Sequence, residues 1–428
     1  MSPVWGLGML IVLEGCGGSH ASSGPTPGPA SQPVFLDPKA GLQPGDLAVI
    51  VNQDDPQSVQ IGAYYQTARH IPNANMIYIH MTTGVATITS TEFNTIKAQV
   101  DAVTPANVQA YALTWAAPYQ VQCMSITTAF ALGFSTTYCM TGSGCGPTAA
   151  SPYYNSTSTR PYDDFHMRPT MALAGTSFAN VKALIDRGVN ADGKAPTGTA
   201  YLVTSTDSAR SVRGYDFSYL AGFWKGSSGL TAKYLNQTTT GPGYITGATD
   251  VMTYLASLAS VPSIATNTYL PGAIADHLTS YGGQLTNSGQ MSALRWLEAG
   301  ATASYGTVSE PCNYTQKFPQ ASVLIPHYFG GESLIEAYWK SVQWPGQGIF
   351  VGEPLANPYR NSMTMVGDEM DLTVRWLTAG KTYQVESANA PSGPFAVVLA
   401  AISADPSGVT HIAVPHAVAG YYRLVQSP

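Results

Sequence analysis

The most distinctive group of chemically capable side chains lies at residues 271–283, where Asp276 and His277 precede Thr279, Ser280 and a Gly282-Gly283 pair. A histidine within reach of a hydroxyl or a substrate oxygen works as a general base. Asp276, His277 and Ser280 are therefore the candidate catalytic set of a hydrolase. Adjacent residues on a regular strand point to opposite faces, so Asp276 orients His277 only if the chain turns there. The segment is expected to be a loop beside a strand end, where binding side chains gather. The plainer alternative is a turn whose side chains cap the next helix.

Cys312, with Glu310 before it and His327 after it, has the residue types of a Cys/His pair with an orienting carboxylate. The cysteine count favours another role. Setting Cys16 aside leaves Cys123, Cys139, Cys145 and Cys312, an even set expected to form disulfides in an oxidising compartment. All pairings are open at this stage. Cys139 with Cys145 would staple an irregular stretch and leave Cys123 for Cys312.

Asp163-Asp164-Phe165-His166 and Asp54-Asp55 offer oxygen and nitrogen ligands. Against that, Asp55-Pro56 is good chemistry for starting a helix, and aspartates in a Tyr/Pro-rich loop are usually solvated. No zinc spacing, P-loop or dinucleotide glycine pattern is present, so no metal and no cofactor is expected. Asp207, Arg210, Arg213 and Asp216 gather charge in a charge-poor chain, as an ion-paired loop or as an arm that clamps a ligand. The candidate binding residues are Asp54, Asp55, Trp115, Asp163, Asp164, Arg210 and Arg213. Loop aromatics such as Tyr153, Tyr154, Tyr162, Tyr215 and Trp224 are suited to stacking on sugars or peptides, or replace charge on an exported surface.

These residues need a scaffold, and composition limits which one. Of 428 residues only 10% are charged, 19 Lys+Arg against 25 Asp+Glu, for a net charge of −6. That excludes a nucleic-acid binder, which needs a basic face to displace counterions. A hydrophobic fraction of 44% supplies a core and excludes disorder throughout. Residues 4–13 form an apolar run too short to cross a bilayer but suited to a signal-peptide core. Leu13-Glu14-Gly15-Cys16 then resembles a bacterial lipoprotein signal, which implies lipidation of Cys16 and attachment to a membrane. The expected division is a signal segment at 1–16, a flexible Gly/Ser/Pro tether at 17–40, an α/β domain at 41–358 and a β-sandwich at 359–428.

Buried strands are expected at residues 46–52, 76–80, 110–115, 199–204, 303–307 and 348–351. Helices are expected at 58–70, from Thr89 through Val100, and at 125–133, 178–187, 251–258, 291–299 and 333–342. The last carries Glu336 and Lys340 spaced for an i,i+4 pair. Alternating elements with non-alternating apolar strands imply a mostly parallel sheet with helices on both faces. In such sheets ligands sit at the carboxyl ends of strands where the order reverses. After Pro358, short alternating strands have the pattern of a small immunoglobulin/fibronectin-like sandwich. No convincing internal repeat is visible.

Several segments carry a family resemblance. They include Leu47-Ala-Val-Ile-Val-Asn52 through Asp55-Pro56, Arg69-His70-Ile71-Pro72, Leu184-Ile-Asp-Arg-Gly188, the 271–283 motif, residues 294–308, Glu310-Pro-Cys312 and Gly352-Glu-Pro-Leu355. Together they resemble an uncharacterised family of exported bacterial proteins found in species that carry the exosortase sorting system. The order of elements is also similar to that of gingipain-type, caspase-like cysteine peptidases, where a small immunoglobulin-like domain follows the catalytic unit. That likeness implies a His-Gly and a Cys at neighbouring strand ends. The corresponding stretches here, 243–249 and 273–279, hold neither. The expectation is a lipid-anchored envelope protein outside the cytoplasm, without the peptidase dyad, binding a surface polysaccharide or an exported protein. The alternative is a secreted hydrolase, of peptidase or esterase type, built on Asp276 and His277.

Overall fold

The computed structural model describes residues 31–139, 145–224 and 229–428. Cys16 and the signal-like segment lie outside the described residues. The first element, β1 (Pro33–Leu36), is followed by β2 (Leu47–Asn52), which is buried at every position. Pro56 opens α1 (Pro56–Arg69), the Asp55 side chain accepts from the Gln57 amide, and His70 ends the helix in the left-handed region at φ 54°. Next come β3 (Met76–Ile79), the short β4 (Thr87–Ile88) and α2 (Ser90–Val103). Thr89 caps α2, but the Glu92 carboxylate accepts from the Thr82 amide at 3.0 Å instead of reaching back to close a capping box.

The chain continues through β5 (Ala110–Leu113), β6 (Gln120–Val121), β7 (Met124–Ser125), α3 (Ile126–Leu132), α4 (Pro161–Phe165) and β8 (Thr170–Ala172). A second series begins with α5 (Phe178–Ala191), β9 (Gly198–Val203), α6 (Gly214–Phe223) and β10 (Leu230–Leu235). It runs on through β11 (Val251–Ala256), β12 (Tyr269–His277), α7 (Leu294–Ala299) and β13 (Ala303–Thr307). Then α8 (Ala321–Phe329), α9 (Leu334–Ser341) and β14 (Gly348–Gly352) complete the body.

Two sequence expectations fail here. Residues 251–256 are a strand and not a helix; all six are buried, so no polar face existed to set a helical period. The 271–283 motif is not a loop throughout, because its first seven residues belong to β12.

The main sheet has ten strands in the order β10-β9-β11-β12-β13-β14-β8-β5-β2-β3. Five strands, β3-β2-β5-β8-β14, run parallel to one another. The other five, β10-β9-β11-β12-β13, are also mutually parallel, and the halves meet antiparallel at β13–β14. In each half the first strand in the chain lies second from the outer edge, with the second strand outside it and the later ones inward. The order is thus mirrored about the seam and the direction reversed, which is a two-fold relation between halves. The sequence shows no repeat, yet the topology does. Each half has its own reversal of strand order, at β2/β5 and at β9/β11, and the two sets of carboxyl ends face opposite edges of the sheet.

The seam is packed with aromatics: Trp339 stacks on Phe350 at 4.5 Å, and Tyr305 meets the same ring at 5.1 Å. All eight residues of α9 are buried, so Glu336 and Lys340 do not form a surface pair. Lys340 Nζ lies 2.8 Å from Glu332 Oε1, while Glu336 Oε2 accepts from the amides of Leu42 at 2.8 Å and Ser333 at 3.0 Å. Burial, and then the neighbouring Glu332, push the Glu336 carboxyl up to about 7.

The cysteines pair as Cys123–Cys139 and Cys145–Cys312, with Cα separations of 5.6 and 5.8 Å. Cys139 therefore does not staple to Cys145. Cys123 follows Gln122 at the left-handed corner of the β6–β7 turn, which presents it to the end of the 136–138 helical turn.

Beyond Pro358 the strands are β15 (Ser362–Val366), β16 (Glu369–Val374), β17 (Thr382–Ala388), β18 (Ala396–Ser403), β19 (Thr410–Val414) and β20 (Gly420–Gln426). They form two sheets, β1-β20-β17-β18 and β15-β16-β19. Side chains from both sheets, including Leu372, Val385, Ile412 and Leu424, meet in one buried cluster. Residues 33–36, expected in the tether, instead pair with β20 in parallel, and Phe35 packs on that cluster.

Candidate functional site

Asp276 and His277 end β12 and, as neighbours on a strand, lie on opposite faces. Asp276 Oδ1 accepts from Arg213 Nη1 at 2.8 Å, and each side chain is 1% exposed. The same guanidinium donates to the carbonyls of Ala256 and Pro319. On the other face, Trp296 Nε1 donates to His277 Nδ1 at 3.0 Å. An indole nitrogen only donates, so the imidazole proton sits on Nε2, which donates to the Met291 carbonyl at 3.1 Å. Burial pushes the imidazole down to about 3, so it is neutral at physiological pH. Neither ring nitrogen has a lone pair or a proton left for a substrate. Ser280 has no base in His277; it lines a separate pocket of about 290 Å³ with Arg210, Thr279 and the Cys145–Cys312 disulfide.

A larger open cleft, about 850 Å³, lies at the β2/β5 reversal. One wall comes from the carboxyl ends of the first half: Asp54 and Asp55 after β2, Thr83 and Gly84 after β3, Ala116 and Ala117 after β5, and Thr176 after β8. Asn52 joins two of these ends, its side chain accepting from the Met81 amide at 3.1 Å and donating to the Met81 carbonyl at 3.0 Å. Trp115 stands behind the wall, 2% exposed, with its indole donating to the Pro118 carbonyl at 3.1 Å. The binding role expected for Trp115 is thus reduced to supporting the wall.

The facing wall is residues 285–292 with Arg295. It is held by its own polar side chains. Gln290 Oε1 accepts from Thr279 Oγ1 at 2.7 Å and from the Tyr281 amide at 2.9 Å, and Ser288 Oγ donates to the Tyr281 carbonyl at 2.7 Å. Arg295 is paired with Glu298 at 2.6 Å, and Glu298 also accepts from Thr176 Oγ1 at 2.8 Å. The cleft lining therefore mixes hydroxyl and amide side chains with apolar residues such as Ala116, Ala117, Leu285 and Met291, and Asp54 and Arg295 are both paired. Asp54 Oδ1 lies 2.8 Å from His80 Nδ1, an exposed pair at adjacent strand ends. Sequence reading found Asp54 and missed His80, although His80 is the first residue after β3 and β3 lies beside β2.

The remaining candidates separate. Asp163 accepts from Gln109 and pairs with Arg160, while Asp164 accepts from Ser158 Oγ at 2.6 Å, all around the first turn of α4. Among the described residues no three His, Cys, Asp or Glu side chains gather as metal ligands. Arg210 pairs with Asp207 at 2.6 Å, Arg213 with Asp276, and Asp216 accepts from the Ala321 and Ser322 amides at the start of α8. These four residues thus form no single clamp. Glu310 accepts from the Cys312 amide at 2.8 Å, and His327 faces Glu332 at 2.9 Å, so Cys312 has no histidine partner.

No family model matches the sequence, and no curated protein matches it. Among solved structures, a complex of the Porphyromonas gingivalis RgpB pro- and mature domains covers 89% of this chain and 100% of its own. Its identity is 11% and its TM-score 0.40. A second, described as the structure of a protease, covers 90% of this chain and 98% of its own, at 10% identity and a TM-score of 0.38. The similarity to these protease structures is weak.

Proposed function

We propose that the chain is an envelope protein, held to a membrane through lipidated Cys16, whose α/β body binds an extracellular polymer without cleaving it. The β2/β5 cleft is the binding site, and a neutral, hydroxyl-rich surface polysaccharide is its ligand. The observation that carries this reading is the cleft lining: hydroxyl and amide side chains fixed by hydrogen bonds to Thr279 and to the Tyr281 backbone, at the position where open parallel sheets bind ligands. The internal commitment of both His277 nitrogens removes the strongest argument for hydrolysis. The C-terminal sheets are read as an immunoglobulin/fibronectin-like sandwich, supported by their shared core. The family of exported proteins in exosortase-carrying species remains the proposed kinship.

Gly289 supplies the test. No heavy atom lies within 4 Å of where its Cβ would stand, so Gly289→Trp places an indole in the cleft without displacing the wall. The substitution is expected to weaken binding of purified envelope polysaccharide in calorimetry while leaving the thermal midpoint unchanged. Equal binding by wild type and variant would refute the cleft as the site.

One geometric fact favours a second reading. Asp54 orients the exposed His80 as a carboxylate orients a catalytic histidine. In that reading hydrolysis takes place at the rim of the cleft, where His80 flanks the lining residue Asp54, and His80→Ala abolishes a measurable esterase or peptidase activity.

A further inference from the structure

The α6 helix presents Tyr215, Tyr219 and Phe223 to solvent at 85%, 56% and 68% exposure. Spaced by four residues, they share one helix face and rise along it by about 6 Å per step. The rings of Tyr219 and Phe223 lie parallel, 2° apart in plane and 6.1 Å between centroids. Nearly all other large aromatics of the described residues are covered, so this row is not an average surface.

The row borders a pocket of about 400 Å³ lined by Tyr215, Asp216, Tyr219, Thr315, Gln320 and Ser322. Its polar floor is fixed. Both Asp216 oxygens are taken by the Ala321 and Ser322 amides, at 2.6 and 3.2 Å. Gln320 Oε1 accepts from Tyr154 at 2.8 Å, so the oxygen of this pocket-lining amide is already engaged. Arg213 also lines the pocket, but its guanidinium is buried and committed to Asp276. The site therefore offers flat apolar faces, amide and hydroxyl groups, and no unpaired charge.

We infer that the α6 face and its pocket form a second glycan-binding platform, separate from the β2/β5 cleft, for an extended neutral polysaccharide. Aromatic faces stack on the C–H faces of pyranose rings, and the neighbouring amide and hydroxyl groups hydrogen-bond their hydroxyls. The one basic side chain lining the pocket, Arg213, is 1% exposed and committed to Asp276, which disfavours an anionic lipid headgroup as the occupant. The inference shares its ligand class with the function proposed above but not its site.

The test uses the full chain with Cys16→Ser, so that no lipid contributes, in native gels containing hydroxyethylcellulose, laminarin or dextran. A triple variant, Tyr215→Ala, Tyr219→Ala and Phe223→Ala, removes only exposed rings and inserts the best helix former. Retardation by at least one polymer is expected, weakened about ten-fold or more in the triple variant and kept in a Gly289→Trp variant that blocks the cleft but retains the three rings. Absence of retardation by all three polymers, or equal retardation of the triple variant, overturns the inference. Co-sedimentation with phosphatidylethanolamine/phosphatidylglycerol vesicles that the triple variant loses would overturn it in favour of a lipid surface. Loss of retardation on Gly289→Trp alone would support the cleft and contradict the platform.

Discussion

The indole Nε1 of Trp296 donates to Nδ1 of His277 at 3.0 Å, deep between β12 and α7. This bond fixes the tautomer, directs the remaining N–H to Met291, and makes the histidine part of the core. The residue with the most catalytic appearance in the sequence is a structural one.

His277→Ala should therefore act on stability and leave polymer binding intact. It leaves a cavity and strands the Trp296 donor, a loss of about 2–4 kcal/mol, read as a lower urea midpoint with an unchanged slope. The pH dependence has a definite sign. The folded imidazole titrates near 3 and the unfolded one near 6.5, so stability is complete above the unfolded value and falls as pH drops toward 3. The variant should lose that part of the acid sensitivity.

Glu336 gives the opposite slope. Its folded carboxyl titrates near 7 against 4.5 unfolded, so the folded state keeps a proton that the unfolded chain releases. Stability should fall as pH rises from 4.5 to about 7 and level off above. Glu332, Lys340 and Lys39 share this neighbourhood, so the clean comparison is Glu336→Gln, which keeps an acceptor for the Leu42 amide. Urea midpoints measured across that window should be flatter in the variant; an identical slope would contradict the assignment.

Asp276→Ala leaves the Arg213 guanidinium buried and uncompensated, at a loss of about 3–5 kcal/mol. Replacing both partners, Arg213→Met with Asp276→Leu, should recover much of it. Thermal melts of the wild type, Arg213→Met, Asp276→Leu and their double variant measure the coupling, and Asp276→Ala measures the loss. If Asp276→Ala melts like wild type, the pair is not the buried anchor that its 1% exposure indicates.

Peptide mapping without reduction should recover Cys123 joined to Cys139 and Cys145 to Cys312. Chain-entropy reasoning assigns the bridge closing 167 residues about 5 kcal/mol and the one closing 16 about 3 kcal/mol. Cys312→Ser should accordingly lower the midpoint more than Cys123→Ser. A Cys139–Cys145 peptide would contradict the structure.

Much of the scaffold was legible in residue order. Asp55-Pro56 marked the start of α1, and Leu47 through Asn52 read as a covered strand because every position is apolar or hydrogen-bonded inside. Where burial is complete, the pattern loses its period. That is why Val251 through Ala256 looked helical and why Glu336 and Lys340 looked like a surface pair. The two-fold relation between halves was invisible because it lies in strand order and leaves no trace in residue identity. Asp54 was found as a site residue because it ends a strand. His80, Gln290 and Arg295 were not, because only the fold sets His80 beside Asp54 and brings Gln290 and Arg295 to the facing wall of the cleft.

The most direct test of polymer binding without cleavage is calorimetric titration of the full chain with purified envelope polysaccharide, followed by sizing of the recovered polymer. The expected result is saturable binding, weakened in Gly289→Trp and lost when that substitution is combined with the α6 triple variant, with polymer length unchanged. Binding equal in wild type and Gly289→Trp, or recovery of shortened polymer that disappears with His80→Ala, would contradict it.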